Sequence, residues 1–122
     1  MPNFIRQNLT LYEQTIKNQS ALVHTVMITY RDEIPQDIVE NSVERLRSLG
    51  TLPGVMKWVV EWSLDQRKGR TVLELGIFES GDAFLQWRNH RDHTSFADEL
   101  ATLADWHTAD FSLSAANIGQ NP

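Results

Sequence analysis

The segment Leu22–Tyr30 constrains the fold more than any other, because it is apolar or small on both of its alternating sides. Successive side chains of a β-strand point to opposite faces of the sheet, so alternate residues mark one face. One set is His24, Val26, Ile28 and Tyr30, and the other is Thr25, Met27 and Thr29. Such a pattern is typical of a strand that is covered on both faces. Other parts of the protein, or of a partner, must therefore cover this strand on each face of the sheet.

The remaining patterns predict the order β-α-β-β-α-α-β. Three further strands are predicted at Val55–Trp62, Thr71–Phe78 and Ala109–Leu113. Three helices are predicted: one from Pro35 to Gly50, one after Ser80, and one from about Asp92 to Leu103. This order is the ferredoxin-like α+β fold, a four-stranded antiparallel sheet with helices on one face. Strict alternation in the second strand puts Met56, Trp58, Val60 and Trp62 on the helix side and Val55, Lys57, Val59 and Glu61 on the other.

The face of this sheet that the helices leave open carries too much apolar surface for a single chain. Its predicted members are Thr25, Met27, Thr29, Val55, Val59, Leu73, Leu75 and Ile77. Exposed apolar patches beyond a few hundred Å² are rare on monomers. A two-fold arrangement covers the patch with its own copy. We therefore predict a homodimer in which two sheets form a dimeric α/β barrel.

Composition and length limit the other possibilities. The 122 residues suit one domain, with an N-terminal extension at 1–20, the α/β domain at 21–113 and a flexible tail at 114–122. Helical spacing in the extension is carried by Ile5, Leu9, Tyr12 and Ile16. A net charge of −5 without a basic cluster argues against nucleic acid as a partner. No apolar run approaches a membrane span, and the lack of cysteine suits a cytoplasmic protein.

Four local motifs, in this order and spacing, resemble the stress-responsive dimeric α/β-barrel (Dabb) family. They are His24 at the start of an apolar strand followed by Tyr30-Arg-Asp-Glu-Ile, then Leu52-Pro-Gly-Val, then Phe78-Glu-Ser with Trp87-Arg-Asn-His-Arg-Asp-His-Thr-Ser-Phe96, and Ala109-Asp-Phe111. The resemblance implies a homodimer with a pocket in each subunit between the sheet and its helices. Family members include stress-induced proteins and cofactor-independent plant polyketide cyclases, and more distant relatives of the fold include monooxygenases.

The resemblance also implies roles for two histidines. His24 and His93 match the pocket positions of the cyclase branch, and the imidazole pKa near neutrality suits proton transfer. We predict His93 as a base and His24 as an orienting donor, unless both simply hold helix and strand together. The cyclase branch carries a phenol where this chain has Trp87, which weakens the match because an indole cannot act as an acid.

Alternation adds a carboxylate to this predicted pocket. Glu74 shares its parity with Val72, Gly76 and Phe78, so it faces the helices and is a candidate acid or base, or a structural ion-pair partner. Gly76 would leave space beside it. The predicted ligand-pocket residues are Val26, Ile28, Gly76, Trp87, Phe96 and Trp58.

Metal and cofactor signatures are weak. His90 and His93 have a metal-like spacing but lack a third ligand, so we predict no metal, and no nucleotide motif or cofactor is indicated. The leading hypothesis is a protein that binds a small apolar or aromatic carbonyl compound, with proton-transfer catalysis. The alternatives are a non-catalytic stress or assembly protein, and a cofactor-independent or haem-using monooxygenase.

Overall fold

The computed structural model describes residues 10–113. Its elements are α1 (Leu11–Lys17), β1 (Leu22–Tyr30), α2 (Gln36–Ser48) with a 3-10 turn (Leu49–Thr51), β2 (Val55–Trp62), β3 (Arg70–Phe78), α3 (Gly81–Asn89), α4 (Arg91–Leu100) and β4 (Ala104–Ser112). The strands form one antiparallel sheet in the order β2-β3-β1-β4. The predicted ferredoxin-like fold is confirmed. Ile5, Leu9 and the predicted tail lie outside the described residues.

The helices cover one face of the sheet and bury the core against it. The core contains the largest fully buried side chains, which are Trp87, Tyr30, Phe78, Phe84, Leu22, Ile28, Leu46, Val39 and Val72. Short polar side chains cap the start of α3 and of α1. Ser80 Oγ accepts a hydrogen bond from the Ala83 amide at the start of α3. At α1, Thr10 and Glu13 form a reciprocal capping box.

The other face of the sheet, called here the open face, is exposed in the isolated chain. Large apolar side chains stand on it: Met27 is 49% exposed, Leu73 45%, Val59 41% and Phe111 53%. The strand register places Met27 opposite both Leu73 and His107. The predicted exposure of apolar residues on this face therefore holds for these strands.

A β-bulge in β2 corrects the predicted faces of its first two residues. The register shifts between Val55 and Lys57, so that Val55 pairs with the buried Phe78. Val55 consequently packs against the core, while Met56 is 65% exposed. Strict alternation assigned both residues to the wrong side, because an inserted residue reverses the parity of everything before it.

Two predicted boundaries also differ from the structure. β4 begins at Ala104, five residues before the predicted start, because it pairs with β1 along its whole length. Its exposed polar residues gave no apolar alternation by which to recognise it. α4 ends at Leu100, and the chain then turns so that the Leu103 carbonyl accepts a hydrogen bond from the Arg31 amide.

Candidate functional site

A cavity of about 560 Å³ lies between the sheet and the helices α1, α3 and α4. The three predicted chemical residues, His24, Glu74 and His93, all line it. Its apolar walls are Ile16, Val26, Ile28, Phe84, Trp87, Phe96, Ala97, Leu100 and Trp106, and its other polar residues are Tyr12, Thr15, Arg88, Thr108 and Asp110. An apolar cavity with a few converging polar groups is the usual form of a small-molecule site.

His24 sits at the centre of a buried charged cluster. Its Nδ1 lies 2.6 Å from Asp110 Oδ1 and donates to that carboxylate, which faces it across the β1–β4 ladder. Its Nε2 lies 3.2 Å from Glu74 Oε2. All three side chains are less than 10% exposed. We call His24, Glu74 and Asp110 the histidine cluster.

The histidine cluster keeps His24 protonated. Burial alone would lower the pKa of its imidazole, but the hydrogen bond with Asp110 and the contact with Glu74 outweigh burial and raise the pKa to about 9. On Asp110, burial raises the pKa while hydrogen bonds from His24 and Tyr12 lower it, and the net pKa is lowered. At neutral pH, His24 is therefore a cation beside two carboxylates.

Glu74 is an ion-pair partner with spare hydrogen-bonding capacity. The 3.2 Å contact with His24 lacks hydrogen-bond alignment, and Glu74 Oε2 is buried without a hydrogen-bond partner among the described residues. The contact is therefore an ion pair. A buried carboxylate oxygen without a donor costs free energy, which a donor group on a ligand would recover.

His93 has the opposite protonation state. Its Nδ1 lies 2.8 Å from the Arg88 carbonyl, which can only accept, so Nδ1 carries the proton and Nε2 holds a lone pair. Burial is the main cause that lowers the pKa of His93 to about 4; the hydrogen bond to the Arg88 carbonyl raises the pKa by less than burial lowers it, and the charges of His24 and Arg88 lower it further. One cavity thus holds a cationic histidine and a neutral one, both in contact with the Trp87 ring.

Trp87 lines the cavity but cannot donate a hydrogen bond to a ligand. Its Nε1 donates to the Leu49 carbonyl at 3.0 Å, and the side chain is almost fully buried. The indole therefore has no free proton to offer a bound molecule. Of the predicted pocket residues, Val26, Ile28, Trp87 and Phe96 line the cavity.

Trp58 and Gly76 do not line the cavity, contrary to the prediction. A side chain at position 76 would have its Cβ within 2.9 Å of Trp58 Cζ3, so the indole of Trp58 fills the space that glycine leaves. Trp58 in turn packs against Trp87 with ring centroids 5.5 Å apart. Glycine here permits aromatic packing instead of enlarging a pocket.

The sequence patterns predict no functional role for three residues of the site. Asp110 belongs to one of the family motifs, Tyr12 to the helical spacing of the extension, and Arg88 follows Trp87 in another motif. Tyr12 donates a 2.7 Å hydrogen bond to Asp110 Oδ2, and the Arg88 guanidinium lies 5.3 Å from the centre of the Tyr12 ring. Asp110 and Thr108 are two residues apart in β4 and both line the cavity. A prediction that extended β4 back to Ala104 would have placed both on the same face of the sheet.

His90 takes a structural position. Its Nδ1 accepts a hydrogen bond from the Asp92 amide and caps α4. Within residues 10–113, no group of three or more histidine and acidic side chains is arranged to hold a metal ion. No helix in that range has the length and apolar content to cross a membrane.

The fold and the cavity together define a ferredoxin-like α+β protein with a histidine-centred site. The sequence model of the stress responsive A/B barrel domain, Dabb, matches residues 22–113. The chain therefore belongs to this family, and the predicted resemblance is confirmed. No functionally curated protein matches the sequence.

Solved structures show the same fold at low sequence identity. A dimeric ferredoxin-like protein of unknown function from Thermobifida fusca is 20% identical, with a TM-score of 0.67 over 78% of this chain and 92% of that one. A Dabb family protein from Mesorhizobium loti is 16% identical, with a TM-score of 0.68 over 80% and 100%. Hydroxynitrile lyase from Passiflora edulis is 16% identical, with a TM-score of 0.68 over 80% and 96%. The TM-scores show a shared fold, and identities this low leave the activity open.

Proposed function

We propose that this protein is a cytoplasmic homodimer that binds a small aromatic or apolar carbonyl compound in each cavity and moves a proton on it without a cofactor. The observation that carries the proposal is the pair of histidines in one cavity, one cationic and one neutral. Environments that push the pKa values of two titratable groups apart are typical of acid and base partners. Their pKa values, about 9 and about 4, differ in the required direction.

His93 is the proposed base. Its Nε2 lone pair accepts a proton from the carbon beside the ligand carbonyl, and the C–H bonding electrons move into the enolate. A pKa of about 4 makes His93 a weak base in the empty cavity. The negative enolate that forms beside the new imidazolium raises its pKa in the complex, since opposite charges stabilise one another.

His24 is the proposed donor to the enolate oxygen. Among the described residues, no acceptor is aligned with Nε2–H, because Glu74 is close but off the hydrogen-bond direction. Asp110 fixes the ring through Nδ1 and keeps the cation in place. A fixed positive charge where negative charge develops is an effective form of electrostatic catalysis. The same proton transfer would start an aldol-type cyclisation.

The walls of the cavity favour an aromatic ligand. Phe84, Trp87, Phe96 and Trp106 line it, and aromatic rings pack well against one another in tilted and offset arrangements. An aryl ketone meets this requirement.

The homodimer is supported by the open face and by the relatives. Apolar side chains such as Leu73 and Met27 stand exposed on a face that in a monomer would meet water. The Thermobifida fusca relative is described as dimeric. We propose that two copies of this chain bury their open faces against each other.

Proton transfer is testable with three aryl methyl ketones of increasing size: acetophenone, 2-acetylnaphthalene and 2-acetylphenanthrene. In deuterium oxide, the wild-type protein is expected to exchange the methyl protons of at least one of them faster than buffer does. His93→Gln is expected to lower this exchange rate by about 10²- to 10⁴-fold, the usual contribution of a general base. Proton nuclear magnetic resonance of the ketone methyl group measures the exchange.

His90→Asn is the matched control, because His90 does not line the cavity and asparagine can keep its capping role at α4. It should leave the exchange rate unchanged. Binding without faster exchange in the wild-type protein would contradict the catalytic proposal and favour a non-catalytic binding or assembly role. Absence of binding for all three ketones would contradict the proposed ligand class.

A further inference from the structure

The wall of the cavity includes a segment from outside the family domain. The family match begins at residue 22, whereas Tyr12, Thr15 and Ile16 of α1 line the cavity. Ile16 is buried in the core, and Tyr12 reaches the histidine cluster through Asp110. Residues of the family domain therefore line only part of this cavity, and α1 supplies the remaining wall.

Polar contacts hold α1 in place at its first turns. The Tyr12 hydroxyl donates to Asp110 at 2.7 Å, the Arg88 guanidinium lies over the Tyr12 ring, and Arg88 Nη1 is 3.9 Å from Glu13. Burial and the adjacent Asp110 raise the pKa of Tyr12, so the phenol stays a donor at physiological pH. A seven-residue helix is too short to persist alone, so its order depends on these contacts and on Ile16.

The last turn of α1 fits against the start of α3 at a glycine. The Gly81 amide donates to the Gln19 carbonyl at 2.9 Å. A Cβ at position 81 would lie 1.7 Å from the Ile16 carbonyl oxygen. The backbone of α1 therefore approaches α3 more closely than any side chain at position 81 would permit. This close fit places Ile16 against the cavity.

These contacts point to α1 as the specificity-determining segment of the site. We infer that Ile16 and Tyr12 set the length of aryl carbonyl compound that the cavity accepts, and that the Tyr12–Asp110 hydrogen bond holds this wall closed. The inference rests on the proposed binding of aryl ketones. It adds that selectivity for size resides in the N-terminal helix, which lies outside the region that the family shares.

The test compares affinities for the same three ketones, measured by quenching of tryptophan fluorescence, since Trp87 and Trp106 line the cavity. Ile16→Ala removes three carbons from the wall. It is expected to shift the affinity ratio of 2-acetylphenanthrene to acetophenone by about tenfold or more toward the larger ketone, because apolar pockets discriminate at this level per small group. Leu46→Ala removes the same number of carbons from the core, away from the cavity, and should leave the ratio unchanged.

A second pair of variants keeps the test decisive if Ile16→Ala folds poorly. Tyr12→Phe removes one hydroxyl and is expected to speed ketone dissociation in stopped-flow measurements by about tenfold, as for a lost hydrogen bond to a charged group. Tyr30→Phe is its matched control, since the Tyr30 hydroxyl bonds Ser42 in the core. Circular dichroism establishes that each variant is folded.

The outcomes separate the two proposals. Ketone binding by the wild-type protein with an unchanged size ratio in Ile16→Ala, or with unchanged dissociation in Tyr12→Phe, would overturn the role of α1 and leave the proposed binding intact. If the wild-type protein binds none of the ketones, both proposals fall. A shifted ratio together with faster dissociation supports the inference.

Discussion

Leu73→Glu is expected to abolish the proposed homodimer and to leave a folded monomer. Leu73 lies in β3, in the interior of the open face, and is 45% exposed in the single chain. In a two-fold interface each substitution acts twice. Every copy loses about 1 kcal/mol of apolar burial, since only the exposed part of Leu73 is left for the partner to cover, and adds several kcal/mol for desolvating a carboxylate.

The combined loss exceeds about 4 kcal/mol, which corresponds to about a thousandfold or larger rise in the dimer dissociation constant. Analytical ultracentrifugation of a dilution series measures that constant. Leu64→Glu makes the same chemical change at a fully exposed leucine in the β2–β3 loop, and it should leave the dimer intact. A Leu73→Glu protein that still sediments as a dimer would show that the open face is not the interface.

The alternation of residues along the strands was enough to predict most of the fold and to place part of the site, His24 and Glu74, on one face of the sheet. Because alternate residues share a face, His24 and Glu74 could both be assigned to the helix side, and the structure brings them to 3.2 Å. The failures have local causes. A single inserted residue reversed the faces of Val55 and Met56, and a β-bulge cannot be recognised from the alternation of apolar residues.

The missing half of the site depends on contacts between segments that are distant along the chain. Asp110 meets His24 only through the register of β4 against β1, and Tyr12 meets Asp110 only through the docking of α1. Composition and spacing carry no information on either. The space beside Gly76 was misjudged for a related reason, since the residue that fills it, Trp58, comes from a neighbouring strand.

The free energy of unfolding is expected to peak near pH 6.5 and to fall on both sides for different reasons. The folded pKa of His24, about 9, lies above the ordinary value of 6.5. Its stabilisation is complete below pH 6.5 and is lost as the pH rises toward 9, because the unfolded chain then releases a proton that the folded chain keeps. The difference corresponds to about 3 kcal/mol.

His93 limits stability on the acid side. Its folded pKa, about 4, lies below 6.5, so its neutral form is fully accommodated above pH 6.5. As the pH falls from 6.5 toward 4, His93 becomes protonated in the unfolded chain but stays neutral in the folded chain. The free energy of unfolding therefore falls by up to about 3 kcal/mol. The lowered pKa of Asp110 adds a loss at still lower pH, below its ordinary value of 3.8.

Two variants should each remove one side of this profile. In urea unfolding from about pH 4 to about pH 9 at constant protein concentration, His93→Gln should flatten the acid side and leave the alkaline side. His24→Gln should flatten the alkaline side, and near neutral pH it should be less stable than the wild type by about 3 to 5 kcal/mol because two buried carboxylates lose their cation. His90→Asn keeps a residue suited to the cap of α4 and should retain both sides. If the alkaline decline survives His24→Gln, the charged cluster does not hold a proton on His24, and the division of the two histidines into a cation and a neutral base fails with it.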